Sequence, residues 1–528
     1  MKNRFWLWVI IITLIGGVFR MVGLDKNPIH LGNDEISIAY DSYSVRITGM
    51  DEHRKKLPLS FISHRDYKAP LYAYFNIPFN YIFGNNEYGV RFLSAITGTL
   101  AIFLIALIGK ELAGEKIGIM SAILLALDPK SVFVSRAAYE SNLASVILLL
   151  GIYLMFLYKR KRRVLELILA GLFFGLSIWA YHTEKGLVPL ILVVGWWCWK
   201  KEVKFTNWLP MWLTTGLVSL PIFYDFVTVQ MRDPFNRASS QIWFKTAGVQ
   251  NYWLNGSDFW IKKLAKILAE PIYNYGQHFG LDFLFTNGMD LFPKNEPFNF
   301  GWFLLVTAPF LFFGLLNLKK VFKEKGNFVL LWWLLCPLVP ALTGSPASVR
   351  NLPFIMPTIL IMAVGMKIIL EKSKKFFWLL ILLGLVNFIY FGIAYYVHFP
   401  KITGDNYQYG YKQAFEEVKP LVADYKWVVI EPRFGEFGQY VGLPRLYFGY
   451  WGAFDAWEMI NRIDTSDKIG KYWVKNIDWN QEDINKETIY IASVSNPTVN
   501  DSIEKLDLWK TIYKPDGKGQ FLIYIPKE

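Results

Sequence analysis

Two adjacent carboxylates, Asp34 and Glu35, stand shortly beyond the first long apolar run, in the stretch NPIHLGNDEISIAYDSY. A charge held beside lipid costs free energy unless it is paired or put to use. An ionised carboxylate in such a place can take a proton from an attacking hydroxyl. Lys68 lies in the same segment between apolar runs, and Arg136, Glu140, His182 and Arg350 fall at the ends of others. Cations gathered there at headgroup depth can meet an anion more strongly than in bulk water. Arg350 follows a TGSPAS turn whose backbone N–H groups suit an anion nest.

Each residue also has a plainer reading. An Asp-Glu pair commonly starts a helix, and Glu35 alone could accept backbone or arginine hydrogen bonds. Lys68 could snorkel as an interfacial anchor. Arg136 and Glu140, four apart on a possible helix, could form a local ion pair, and Arg91 could pair in the same way with Glu87. His182 could be a hydrogen-bonded packing residue.

Helices that cross a membrane must position these groups. Of 528 residues, 53% are hydrophobic and 17% aromatic, and the mean hydropathy is +0.25, far from an ordinary soluble composition. Runs able to cross roughly 30 Å of hydrocarbon fall near 6–24, 88–109, 117–128, 141–158, 164–182, 186–199, 207–228, 300–318, 328–342, 351–370 and 376–398. The fold class expected is therefore a polytopic α-helical membrane protein of about 11 spans. The net charge of +13 sits mostly in short connections such as KRKRR and KKEVK, so it argues for membrane topology and against nucleic acid. If the spans alternate, these connections and the N-terminus are cytoplasmic. Residues 25–87, 229–299 and everything from 399 then lie outside the cell or inner membrane. The first run is read as a retained helix, because it lacks a small-residue cleavage site.

The tail differs in kind. KWVVI, TIYIAS and FLIYI read as strands, with YKQAFEEVKPLVADY helical between them. The expected organisation is a membrane domain over 1–398 and an extracytoplasmic α/β domain over 399–528.

Several chemistries lack their motifs. No phosphate-binding G-x-x-x-x-G-K-[ST] loop and no dinucleotide G-x-G-x-x-G after a strand occurs. The two cysteines, Cys198 and Cys336, lie in apolar runs, and the six histidines have no zinc spacing.

The motifs resemble the first outer loop of the C-type glycosyltransferases, a superfamily that includes the protein O-mannosyltransferases and the lipid A aminoarabinose transferases. The resemblance rests on the Asp-Glu pair, DYKAPLY (66–72) and NEYGVRFLSAITGTLAI. It continues through PKSVFVSRAAYESNLAS, WAYHTEKGLVPL, HFGLDFLFTNG and LTGSPASVRNL. It covers roughly the first 400 residues as hydropathy and motif comparison. It implies transfer of a hexose or pentose from a polyprenyl-phosphate donor to an acceptor hydroxyl, by an inverting displacement on the outer face. Asp34, with Glu35 beside it, is implied as the catalytic base. Lys68 is implied as a donor-phosphate ligand, with Arg136, His182 and Arg350 around it, and Glu140 as an orienting acid. Tyr67 and Ala69 depart from the family pattern, so no metal ligand is carried over; no cofactor is assigned and a divalent metal stays open. Expected partners are the lipid-linked donor, a protein, glycan or lipid acceptor, and membrane lipids.

Rival readings are an oligosaccharyltransferase or glycan ligase using a lipid pyrophosphate, a flippase of lipid-linked sugar, and a noncatalytic anchor. A flippase predicts charged or broken positions at mid-span, whereas the polar signals here gather at span ends.

Overall fold

The fold comes from a computed structural model that describes residues 2–63, 66–232, 260–288, 300–344, 349–435, 440–461, 468–480, 482, 484–496, 498 and 505–527. Each apolar run of the sequence carries a helix. The first ten helices, of which α2, α3 and α6 lie outside those runs, are α1 (Lys2–Met21), α2 (Asn33–Thr48), α3 (Leu71–Phe83), α4 (Glu87–Ala113), α5 (Glu115–Ala126), α6 (Pro129–Ser135), α7 (Glu140–Lys161), α8 (Val164–Ala180), α9 (Glu184–Trp199) and α10 (Phe205–Thr228). Among the described residues, seven helices are long and apolar enough to cross a membrane. An eighth is counted if α5 and α6, bent by 61°, form one span. This is a multi-pass membrane protein. The remaining runs, among them Val164–Ala180 and Lys325–Ala341, form shorter apolar helices.

The chain folds into two compact units that alternate along the sequence. The first comprises Met1–Val22, Leu59–Tyr72 and Leu93–Ile393; the second comprises Gly23–Pro58, Ala73–Phe92 and Ala394–Glu528.

The first unit is a helical bundle with a short hairpin, β1 (Phe61–Ser63) and β2 (Asp66–Lys68), in which Phe61 faces Lys68. Apolar burial alone gives helices in lipid little reason to associate, so close backbone approach matters. Helices Ala308–Phe322 and Ile355–Lys372 meet through glycines: a Cβ on Gly365 would fall 1.8 Å from the Phe310 carbonyl oxygen, and one on Gly314 would fall 2.0 Å from that of Ile361.

At the α5–α6 bend, backbone groups lose their helical partners. Arg20, wholly buried, supplies donors there: its Nη atoms reach Leu125 O at 2.8 Å, Ala126 O at 3.2 Å and Ser131 Oγ at 2.9 Å. Asp128 caps α6 by accepting from Ser131 N at 2.8 Å, and Pro129 opens the helix. Arg20 here serves as a helix cap.

The second unit contains a six-stranded sheet in the order β6-β7-β3-β8-β10-β9. The strands are β3 (Trp427–Ile430), β6 (Lys468–Ile469), β7 (Tyr472–Val474), β8 (Thr488–Ser493), β9 (Leu506–Tyr513) and β10 (Gly519–Pro526); β4 (Arg433–Phe434) and β5 (Tyr440–Val441) pair separately. β3 lies parallel to both β7 and β8, while β10 runs antiparallel to β8 and β9. The strands expected at KWVVI, TIYIAS and FLIYI are β3, β8 and β10. β8 is buried at all six positions. Segments Gly23–Pro58 and Ala73–Phe92 join this sheet unit: α2 packs on helices Pro444–Tyr450 and Ala456–Asn461.

Gly365→Leu, which must push a branched side chain into the Phe310 carbonyl, is expected to cost about 1–3 kcal/mol. A thermal melt in detergent should show the loss, and Gly216→Ala, where a Cβ meets nothing within 4 Å, should melt no lower than wild type.

Candidate active site

In the second unit, the two acids of the opening stretch have different environments although they are neighbours. Gly32 caps α2, which places Asn33, Asp34 and Glu35 in its first turn. Glu35 turns inward: its Oε2 accepts from Gly32 N at 3.0 Å, and its two oxygens accept from Arg91 Nε and Nη2 at 2.8 and 2.9 Å. Arg91 is wholly buried. Its Nη1 also donates to Leu24 O at 2.7 Å and Pro28 O at 2.8 Å, and its Nη2 to His30 O at 2.6 Å. A guanidinium has five N–H groups, and these five contacts use them all. Asp34, one residue earlier, is exposed.

Arg91 therefore does not make the local pair that its spacing from Glu87 allows. Glu87 instead accepts from Lys412 Nζ at 2.7 and 2.8 Å. The distant partner wins because a bidentate carboxylate plus three carbonyls satisfies the guanidinium better than one acid on its own helix. His30, on the same loop, is wholly buried, with Nδ1 2.8 Å from Tyr407 O and its ring 5.0 Å from that of Tyr447. Burial pushes its imidazole down to about 4, against the opposing charge of Glu87. The neutral ring carries its proton on Nδ1, and Tyr447 Oη donates to Leu31 O at 2.5 Å. The Asp34 turn is thus tied to the tail from two sides.

The other candidates belong to the first unit. Lys68 ends β2 and is buried. His182 Nε2 lies 2.6 Å from the carbonyl oxygen of Tyr67, and its Nδ1 lies 3.1 Å from Lys185 Nζ. A carbonyl and an ammonium on opposite nitrogens assign the tautomer: Nε2 donates and Nδ1 accepts. His182 thereby holds the peptide that precedes Lys68, a connection the sequence did not reveal. Lys185 itself stacks over Phe226 at 4.6 Å.

Arg136 is wholly buried, and its Nη1 donates to Phe19 O at 3.0 Å and Val22 O at 2.7 Å, at the end of α1. That is the position in which a cation suits a helix C-terminus. Glu140 opens α7, where an acid suits the opposite end of a helix dipole. Arg350 Nη1 donates to Thr343 O and Oγ1, each at 3.0 Å; residues 345–348 of the TGSPAS turn lie outside the described residues. Among the described residues, no group of three or more His, Cys, Asp or Glu side chains is placed to share a metal ion.

Residues 67–227 match the family described as Dolichyl-phosphate-mannose-protein mannosyltransferase. The match opens inside DYKAPLY and takes in Lys68, Arg136, Glu140 and His182. The crystal structure of ArnT from Cupriavidus metallidurans in the apo state is similar over nearly the whole chain: TM-score 0.58 at 12% identity, covering 98% of this chain and 97% of that one. The chain has the C-type glycosyltransferase fold. ArnT bound to undecaprenyl phosphate gives a TM-score of 0.57 at 12% identity, covering 98% of each chain. The Archaeoglobus fulgidus oligosaccharyltransferase tethered with an acceptor peptide gives 0.51 at 12%, covering 100% of this chain and 74% of that one. No curated protein matches the sequence. The C-type resemblance read from the motifs is met, and the fold class with it. Asp34, Glu35 and Arg350 lie outside the stretch that matches the mannosyltransferase family.

Removing one partner of a buried ion pair leaves an uncompensated charge and costs about 3–5 kcal/mol. Arg91→Met and Glu35→Gln should each lower the melting temperature strongly, and the double variant should lose less than the sum of the two. His30 sets a pH dependence. Its folded pKa of about 4 lies below the ordinary 6.5, so the unfolded chain binds the extra proton first. The stability that depends on neutral His30 is complete above about 6.5 and falls as pH drops toward 4, by up to about 3 kcal/mol. A His30→Gln variant should melt with a flatter pH profile across that window.

Proposed function

We infer that this protein is a membrane glycosyltransferase that moves a single sugar from a polyprenyl-phosphate carrier to an acceptor hydroxyl on the outer face of the membrane. The observation that carries this reading is the contrast at positions 34 and 35: one carboxylate turns inward to Arg91, while its neighbour on the same helix turn is exposed. The family match beginning at Tyr67 and the ArnT-like fold support it.

In this reading Asp34 takes the proton of the acceptor hydroxyl. The new bond forms between that oxygen and the anomeric carbon as the bond to the phosphate oxygen breaks, with inversion at the carbon. The departing polyprenyl phosphate gains negative charge, and Lys68 receives it. His182 is a positioning residue that fixes the peptide before Lys68. Arg136 acts as the cap of α1, Glu140 orients the acceptor or its loop, and Arg350 joins Lys68 in meeting the donor phosphate. Glu35 keeps Asp34 in place. Residues 1–398 supply the catalytic membrane domain, and 399–528 the outer α/β domain.

The test is transfer by the full chain in proteoliposomes, supplied with polyprenyl-phosphate hexoses and pentoses and with protein, glycan and lipid acceptors. Loss of a general base costs about 100-fold or more. Asp34→Asn is expected to lose that much turnover while melting like wild type, and undiminished transfer would remove the base assignment. Lys68→Ala should raise KM for the donor by about tenfold. Transfer only from a lipid pyrophosphate oligosaccharide to an Asn-containing peptide would install the oligosaccharyltransferase reading instead.

A further inference from the structure

The second unit holds a polar cavity that the proposed reaction does not use. It measures about 210 Å³ and is lined by Gly435, Ser493, Val494, Ser495, Lys514, Lys518, Gly519 and Gln520. Its place in the sheet is informative. The three parallel strands follow the spatial order β7-β3-β8, so the chain leaves β3 to one side for β7 and crosses to the other for β8. In an open sheet, ligands bind beyond the carboxyl ends of the strands where the order reverses, here between β3 and β8. Ser493 ends β8, and Glu431 follows the end of β3. The cavity lies beside this switch point, between the end of β8, the β9–β10 turn and Gly435.

Its lining is rich in donors. Ser493 Oγ and Ser495 Oγ are 2.8 Å apart. The side-chain amide of Gln520 makes no hydrogen bond to the described residues although the residue is 97% buried, being 3% exposed. Lys514 and Lys518 flank the turn between β9 and β10, with Lys514 N donating to Lys518 O at 2.8 Å. Gly519 lets Val494 approach closely, since a Cβ there would meet its methyl at 3.1 Å.

The acids nearby are already engaged. Glu431 accepts from Ser493 N and Asn496 Nδ2, each at 2.9 Å, and lies 3.6 Å from Arg433 Nη1. Asp405 accepts from Lys514 at 3.0 and 3.2 Å, and Asp516 accepts from Lys518 N at 3.0 Å. Hydroxyls, an amide and ammonium groups around a small cavity suit an oxyanion.

We propose that this cavity is a binding site for a phosphoryl group, carried by a soluble polyol phosphate or by a lipid headgroup, between the end of β8 and the β9–β10 turn of the tail. The inference stands apart from the transfer reaction, so its test uses binding alone.

The probe is inorganic phosphate, titrated into the full chain in nonionic detergent at constant ionic strength and followed by phosphorus NMR line broadening and by melting temperature. Wild type should show saturable broadening and a phosphate-dependent rise in melting temperature that chloride does not give. Lys518→Glu, exposed on the turn, should melt like wild type without phosphate and bind it at least about tenfold more weakly. Ser495→Ala should weaken binding in the same direction. Competition by glycerol phosphate alone assigns a soluble ligand, whereas competition by dihexanoyl phosphatidylglycerol assigns a headgroup. Absence of saturable binding, or equal binding by Lys518→Glu, overturns the site.

Discussion

Five donated hydrogen bonds from one buried guanidinium organise the segment that carries the candidate base. Arg91 stands at the start of α4, yet its partners are Leu24, Pro28, His30 and Glu35. An arginine buried without that set would carry a large desolvation penalty. With it, the chain leaving the first apolar helix is fixed at three carbonyls and at the first turn of α2. The exposure of Asp34 follows from the geometry of its neighbour. A catalytic carboxylate needs this kind of support, because a flexible loop spreads it over positions from which no proton can be taken.

The same economy recurs in the first unit, where cations serve as caps. Arg20 satisfies carbonyls left by the bend after α5, and Arg136 satisfies carbonyls at the end of α1. Both are buried in apolar surroundings, where an unbonded carbonyl is costly. Arg20 and Arg136 thus keep the bundle intact, a role that sequence position alone does not reveal.

Much of the fold was legible because its signals are local. Apolar runs give helices, and WVVI and TIYIAS give strands buried on both faces. β9, LDLWKTIY, escaped notice because it is an edge strand with only Leu506 and Ile512 buried. The Arg91–Glu35 pair escaped for a different reason: Glu87 lay four residues away, and a helix-spacing rule favours the near acid. Only the tail lysine, Lys412, by claiming Glu87, shows why the nearer choice fails. His182 was legible as a polar residue at a helix start, but its bond to the Tyr67 carbonyl joins segments far apart in the chain. Spacing rules see neither kind of partner.

The second unit is stitched from three stretches of chain, Gly23–Pro58, Ala73–Phe92 and Ala394–Glu528. Two of these emerge early during synthesis, and the third emerges last. The turn bearing Asp34 and the ring of His30 therefore find partners in residues roughly 400 positions later, at Tyr407 and Tyr447. This unit is complete only when its third stretch is present, and loss of the sheet strands would leave its earliest loop without a home.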